Sequence, residues 1–360
     1  MSLSFILGTR PEIIKMAPII READSRELDY SLIHTGQHYS TDMSDVFLQC
    51  LGLREPDYNL NVGSGTHAEE TGKMLIAIER VLAKVRPKIV LVEGDTNSVL
   101  AAGLAATKLN IQVGHVEAGL RSRDSTMPEE VNRILTDHLS QYLFSPTPLA
   151  RSNLISEGIP SERAWMTGNT IVDSLEECAE LAMRLGQFPD GIRKGNYLLL
   201  TLHRQENVDS EERLRLILKG LQMVHEKTGL MMIWPIHPRS QKLIDRSRLR
   251  LWRGLRLLNP QDYFSFLHLL MGTRLVLTDS GGVQEEACVL KVPCVTLRDS
   301  TERPETLAVG SNVLAGSNPD LILQKAMFML SKDRHWRNPF GDGHASARIL
   351  DIIGDGSNLG

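Results

Sequence analysis

The chain of 360 residues is poor in cysteine, with only Cys50, Cys178, Cys288 and Cys294. They form no C-x-x-C pair and no zinc spacing, so they read as reduced thiols of a chain kept in a reducing compartment. No apolar run approaches the ~18 residues of a membrane span. Neither sign of charge prevails: 40 Lys and Arg against 44 Asp and Glu leave a formal net charge of −4. That balance argues against a sequence-independent nucleic-acid binder, which carries a basic stripe, and against an acidic tail. Sixteen Pro and 28 Gly are ordinary numbers, so disorder and collagen-like repeats drop out. No G-x-G-x-x-G follows a strand, which disfavours a Rossmann dehydrogenase. The opening Met1–Leu7 has no basic segment and reads as a first strand, not a signal peptide. What is present, 42% hydrophobic and 23% charged residues, suffices for full-sized cores. At about 150 residues per domain, the length suggests two domains.

Short β-branched runs alternate with helical patterns along the whole chain, the signature of βαβ units and parallel sheets. In the first half, strands are expected at Ser4–Leu7, Tyr30–His34, Lys88–Val92, Ile111–Val116, Tyr142–Ser145 and Ala164–Thr167. Helices are expected from Pro11 to about Glu22, with a kink at Pro18, and at Thr66–Lys84, Asn97–Leu109 and Pro128–Leu139. In the second half the strands are Tyr197–Leu202, Met231–Pro235, Leu275–Thr278 and Val292–Leu297. Helices there are Ser210–Lys227, Gln261–Met271, Gly282–Leu290 and a final Ala345–Ile353. The Pro- and Gly-bearing stretch Gly186–Gly195 is the candidate linker. The fold class is α/β, with two doubly wound domains and a ligand cleft between them.

Ligands of open α/β sheets gather at the carboxyl ends of strands, so the residues after each strand carry the argument. Gly8-Thr9-Arg10-Pro11-Glu12 follows the first, with Lys15 one turn along. Cations at a helix N-terminus are unfavourable by about 0.3–1 kcal/mol, which points Arg10 and Lys15 toward an anion. Glu93-Gly94-Asp95-Thr96 follows the next site strand, where Asp95 is equally placed to cap the following helix. Glu117 ends an otherwise apolar strand, and a buried carboxylate needs a partner. Pro128-Glu129-Glu130 opens a helix, where acids also complement the dipole. Carboxylates crowded together push each other's pKa values apart, which is how paired acid and base roles arise.

In the second half, Thr278-Asp279-Ser280-Gly281-Gly282 ends a strand and starts a helix, a phosphate cradle of backbone N–H groups. It lacks the Lys-Ser/Thr of a P-loop and so suits a diphosphate rather than triphosphate hydrolysis. Glu286 lies a turn further on, in reach of ribose hydroxyls. His203, beside Arg204, ends another strand. Arg303 in Thr301-Glu302-Arg303-Pro304-Glu305 adds a cation, and Gln261 and Phe266 offer a wall for a uracil, though aromatics at helical spacing are commonly core. His34 and His38 have i,i+4 spacing, but Thr35-Gly36 breaks a helix there, which argues against metal.

Seven of these motifs in order, from Gly8-Thr9-Arg10-Pro11-Glu12 through Glu93-Gly94-Asp95-Thr96, His115-Val116-Glu117-Ala118-Gly119-Leu120-Arg121, Pro128-Glu129-Glu130, His203-Arg204 and Asp279-Ser280-Gly281-Gly282 to Thr301–Glu305, mark a family. Together they resemble the non-hydrolysing UDP-N-acetylglucosamine 2-epimerases, over residue 3 to about residue 350. The resemblance implies the GT-B fold, two Rossmann-like domains facing across a cleft. Residues 1–170 would carry the sugar and the catalytic acids, 171–345 would bind UDP, and 346–360 would cross back to the first domain. It also implies a cytoplasmic homodimer that uses neither NAD nor metal, binds no nucleic acid or membrane, and interconverts UDP-GlcNAc and UDP-ManNAc. By the same resemblance Arg10, Lys15, Asp95, Glu117, His203, Gln261, Phe266, Ser280, Gly281, Gly282, Glu286 and Arg303 contact the nucleotide-sugar. Asp95, Glu117, Glu129 and His203 are its catalytic candidates.

Two positions depart from the pattern. Gln205 stands where many bacterial members have the second Arg of His-Arg-Arg-Glu-Asn, and Arg239-Ser240 where they have Asn-Pro. Many of those members bind a second UDP-GlcNAc as an activator near the positions of Gln37, His38 and His237. The rival readings are a GT-B glycosyltransferase, which requires an acceptor, a hydrolysing epimerase releasing ManNAc and UDP, and a non-catalytic nucleotide-sugar sensor.

Overall fold

In the computed structural model the described residues are 2–36, 48–63, 65–236, 240–241, 244 and 251–356. The chain divides into two compact units, Met1–Ser174 with Phe340–Gly360, and Leu175–Pro339. The strands of the first unit are β1 (Ser2–Leu7), β2 (Asp29–His34), β3 (Tyr58–Asn59), β4 (Ile89–Glu93), β5 (Gln112–Val116), β6 (Tyr142–Ser145) and β7 (Ala164–Met166). They form one sheet in the order β3-β2-β1-β4-β5-β6-β7, with every pair parallel. The winding reverses between β1 and β4, the switch point at which such sheets bind ligands.

Local chemistry explains the helices of this unit. Helix α1 (Arg10–Ser25) starts with Pro in its first turn and continues through Pro18. A proline leaves the carbonyl four residues back without its helical donor; here the Ser174 hydroxyl donates to that Ile14 oxygen at 2.5 Å. Helix α2 (His67–Val85) opens on a capping box between Thr66 and Glu69, which satisfies two end donors reciprocally. Helix α3 (Asn97–Lys108) buries Ala101, Ala102, Ala105 and Ala106 against Val90, Val92 and Val113 of the sheet and Met74, Ile78 and Leu82 of α2. Its cap is Thr96, whose side chain accepts from the Val99 N–H. The reading of Asp95 as that cap is therefore corrected, and the Asp95 carboxylate is released for other work. Helices α4 (Pro128–Leu139) and α5 (Pro148–Ser156) complete the crossovers.

Helix α6 (Thr170–Leu185) contains the division between the units, which falls at Ser174 and Leu175. The stretch Gly186–Gly195 is accordingly not the linker. Phe188 lies 4.2 Å from the His268 ring, centroid to centroid, and the Gly195 N–H donates to Gly272 at 2.8 Å. Its Pro and Gly mark a turn-rich approach to the next strand, anchored by an aromatic side chain.

The second unit holds β8 (Tyr197–Thr201), β9 (Met231–Pro235), β10 (Leu255–Leu258), β11 (Val276–Thr278), β12 (Cys294–Thr296) and β13 (Asn312–Leu314). They lie in the order β10-β9-β8-β11-β12-β13, again all parallel, with the switch between β8 and β11. Its helices include α7 (Glu211–Thr228), α8 (Tyr263–Gly272), α9 (Gly281–Val289) and α10 (Pro319–Leu330). Leu214, Ile217, Leu221 and Val224 of α7 and Ile322, Ala326 and Met329 of α10 join Leu198, Leu200, Trp234 and Leu277 of the sheet in one core.

Helix α11 (Ala345–Gly356) belongs to the first unit. Ile349, Leu350 and Ile353 are buried, Asp173 accepts from the Ser346 N–H at 2.9 Å and its hydroxyl at 2.7 Å, and Arg26 pairs with Asp351 at 2.7 Å. Among the described residues no helix is long and apolar enough to cross a membrane.

Candidate functional site

The switch point of the first unit is lined with acids. Lys15, on the second turn of α1, is buried and donates to Glu117 Oε1 at 2.5 Å, with Glu93 Oε1 3.4 Å away. Asn169 Nδ2 also donates to Glu117, at 3.3 Å. Glu93 is the last residue of β4, and burial raises its carboxyl well above the usual range; Lys15 opposes this, while Glu117 and Glu12 reinforce it. Glu12, on the first turn of α1, accepts from the Gly8 N–H at 2.7 Å and the Thr9 hydroxyl at 2.9 Å. Burial lifts its pKa to about 7 despite those bonds and one from Thr96. Glu117 adopts φ = +70°, a conformation rare for a non-glycine residue and of a kind that clusters at active sites.

A second tier holds the turns that present these groups. Arg133 of α4 bridges the carboxylates of Asp95 and Glu130, the latter at 2.6 Å. Asn132 Nδ2 donates to the Asp95 carbonyl at 3.0 Å. Glu130 accepts from the N–H groups of Ser122 and Arg123 at 2.9 and 2.8 Å. Burial pushes it up, but those donors and Arg133 hold it below the ordinary range. His115, within β5, lies 2.7 Å from Asp137 through Nδ1 and 2.8 Å from the Gly94 carbonyl through Nε2. Asp137 in turn accepts from the Gly119 N–H at 3.2 Å and pairs with Arg121 at 2.8 Å. One buried carboxylate thus ties together the turns carrying Asp95 and Glu117.

In the second unit, Ser280 stands at the N-cap of α9 without a side-chain cap bond. The first N–H groups of that helix therefore remain a donor set for an anion. Asp279 is fully buried and accepts from the N–H groups of His203 and Arg204 and from Asn207, and His203 Nδ1 lies 3.1 Å from it. Burial raises the Asp279 carboxyl, and the His203 ring with the Arg204 and Asn207 donors more than reverses this. Behind α9, Arg303 pairs with Glu285. Glu302 is flanked by Arg298 at 2.7 Å and Arg204 at 3.3 Å; against the upward push of burial, Arg303, Arg298 and Arg204 hold it far below the usual range. Burial first, then the nearby charge of Glu286, raises the phenol of Tyr263 of α8 well above the ordinary tyrosine range.

Within the first unit, the structure brings Lys15 and Glu117 together and sets Asp95 on Arg133. Lys15 is committed to two carboxylates rather than offered to an anion, and Arg10 is exposed. On the first turn of α4 it is Glu130 that is buried in bonds, while Glu129 is half-buried. Within the second unit, His203 meets Asp279 beside Ser280, Gly281 and Gly282, and Arg303 backs α9. Phe266 is half-buried, and Gln261 Nε2 donates to the Asn259 carbonyl at 2.8 Å ahead of the true cap, Asp262. Gln37, His38 and His237 lie outside the described residues. Sequence reasoning passed over Glu12, Glu93, Asn169 and Arg133 as site residues. Glu93 had the same signal as Glu117, an acid closing an apolar strand, and Arg133 stands three residues after Glu130. Among the described residues no three His, Cys, Asp or Glu are grouped to hold a metal ion.

Two doubly wound parallel α/β units, each with polar groups at its switch point and the last helix returned to the first, define a GT-B protein. The chain belongs to the UDP-N-acetylglucosamine 2-epimerase family, whose model matches residues 21–354. It is 50% identical to the UDP-N-acetylglucosamine 2-epimerase of Methanocaldococcus jannaschii, over 98% of this chain and 99% of that one. It is 50% identical to the enzyme of the same name from Methanococcus maripaludis, over 98% of each. A crystal structure of the M. jannaschii UDP-GlcNAc 2-epimerase in complex with UDP-GlcNAc and UDP aligns with a TM-score of 0.92. The alignment covers 99% of this chain and 100% of that one.

Proposed function

We propose that the protein is a non-hydrolysing UDP-N-acetylglucosamine 2-epimerase, which interconverts UDP-GlcNAc and UDP-ManNAc by eliminating UDP and adding it back to a 2-acetamidoglucal. The observation that carries this reading is the grouping of Glu12, Glu93 and Glu117 with Lys15 at the switch point of the first unit, with Asp95 on the turn that follows β4. A group transfer from a UDP-sugar needs no such concentration of acids, whereas inversion at C2 does. The C2–H bond of an N-acetylhexosamine is not acidified by a carbonyl, but departure of UDP makes the neighbouring anomeric carbon cationic. A carboxylate then removes the C2 proton, and a different acid returns one from the opposite face, so groups are needed on both faces.

In this reading Asp95, Glu117, Glu129 and His203 supply the acid and base work. The N–H groups at Ser280, Gly281 and Gly282, with Arg10 and Arg303, stabilise the leaving diphosphate. Glu286, Gln261 and Phe266 hold the nucleoside. The reading includes a homodimer working in the cytoplasm.

The test is incubation with UDP-GlcNAc alone in deuterium oxide. The expected product is UDP-ManNAc carrying deuterium at C2, without free sugar. Epimer lacking deuterium sinks the elimination route, free ManNAc with UDP makes the enzyme a hydrolysing one, and no turnover without an acceptor favours a transferase. Light scattering at twice the monomer mass checks the dimer.

A further inference from the structure

Glu93 is the last residue of β4, so the sheet fixes its backbone at the switch point. Its side chain is almost fully buried and faces three charged groups from two elements: Lys15 and Glu12 of α1, and Glu117 of the turn after β5. The ammonium lies 2.5 Å from Glu117 and 3.4 Å from Glu93, and Glu93 Oε1 makes no hydrogen bond to it. Lys15 therefore gives its bond to Glu117. Both carboxyl groups thus converge on one buried ammonium, Glu117 raises the proton affinity of Glu93, and a hydrogen bond between two carboxyl groups would require that one of them hold a proton. Two buried carboxylates against one buried ammonium demand the same proton on charge balance alone.

We propose that Glu93 is a positioning residue that keeps this proton, donates it to Glu117, and so holds Glu117 as the ionised base beside Lys15. This rests on the reading of Glu117 as a catalytic carboxylate. The raised affinity of Glu93 for its proton, caused first by burial, agrees with the direction of donation. Asn169 Nδ2, donating to Glu117 at 3.3 Å, supports the same orientation from the other side. Glu117 then meets three donors and presents itself as the acceptor, which is what a base at C2 needs.

Two variants test this. E93Q keeps an N–H donor toward Glu117 but has nothing to ionise. In the wild type kcat should fall on the alkaline side as Glu93 loses its proton, and in E93Q that limb should move up by about one pH unit or more. E93L removes the donor and should lower kcat about tenfold or more with KM within about threefold. A limb unmoved in E93Q, or kcat in E93L within about twofold of wild type, overturns the proposal. If E93L does not fold, as judged by circular dichroism, E93Q decides the matter.

An infrared difference spectrum, wild type minus E93Q in deuterium oxide at neutral pH, reads the proton directly and needs no turnover. The band of a protonated buried carboxyl is expected, and its absence refutes the proposal. A wild-type protein that shows the band but does not epimerise UDP-GlcNAc refutes the functional reading instead.

Discussion

At the scale of single residues, the first unit is governed by what burial does to carboxylates. Glu12, Glu93 and Glu130 are all buried, yet their fates diverge with the donors they meet. Glu130 has two backbone N–H groups and Arg133 and is held low; Glu12 has only neutral donors and rises to about 7. The folded protein therefore binds a proton at Glu12 that the unfolded chain has already released between about pH 4.5 and 7. Folding stability from this group falls as pH rises through that window and levels off above it. Glu12→Gln removes the penalty, which amounts to at most roughly 3 kcal/mol, since each tenfold change in proton affinity is worth about 1.4 kcal/mol. Calorimetry should show Tm of the variant gaining on wild type between about pH 5 and pH 8; an equal difference at both pH values contradicts the assignment.

At the scale of elements, the functional side chains ride on turns, and the turns depend on a single side chain of α4. Asp137 reaches Gly119 directly and Gly94 through His115, and both glycines have positive φ, +88° and +85°. Removing one member of a buried ion pair costs about 3–5 kcal/mol. Asp137→Asn should lower stability in urea by about this much and also lower kcat/KM by about tenfold or more, because the turns bearing Asp95 and Glu117 relax together. Full specific activity in the folded fraction would show that the network is structural alone. Gly119 is the stricter position, since an added Cβ would lie 2.2 Å from the Ala150 carbonyl oxygen. Gly119→Ala should therefore disturb the same turn more severely than Asp137→Asn.

At the scale of the whole molecule, sequence order and structural membership part company at the C-terminus. The segment from Phe340 onward belongs to the unit built by the first half of the chain. Phe340, Ile349, Leu350 and Ile353 are buried there, and at about 1.5–3 kcal/mol for each large apolar side chain their loss costs roughly 6 kcal/mol or more. A chain ending at Pro339 should lose protection against hydrogen exchange in β1, β4 and α1 while β8 and β11 keep theirs. Equal loss in both units would mean that α11 supports the second as much as the first.

Most of the fold was legible because its signals are local. Strand after strand is a short apolar run, Thr66 and Glu69 announce a helix start, and Pro128–Leu139 is bounded by a proline and the end of its apolar pattern. Among the elements missed, β3, β10 and β13 are short, while the helices α5, α6 and α10 were passed over although Thr147-Pro148 and Asn318-Pro319 are capped starts. The candidate acids were legible in part, because an acid closing an apolar strand is a local anomaly, as at Glu117. Their pairing was not: Lys15 and Glu117 are 102 residues apart, and nothing local distinguishes a lysine awaiting an anion from one already held by two carboxylates. The sequence by itself determined the class of fold, the order of its elements and the residues gathered at the strand ends, since propensity, capping and hydrophobic period are properties of neighbours. Only the tertiary structure decided which carboxylate keeps a proton, which turn Asp137 anchors and which unit owns the last helix, because those depend on burial and on charges brought together from distant parts of the chain.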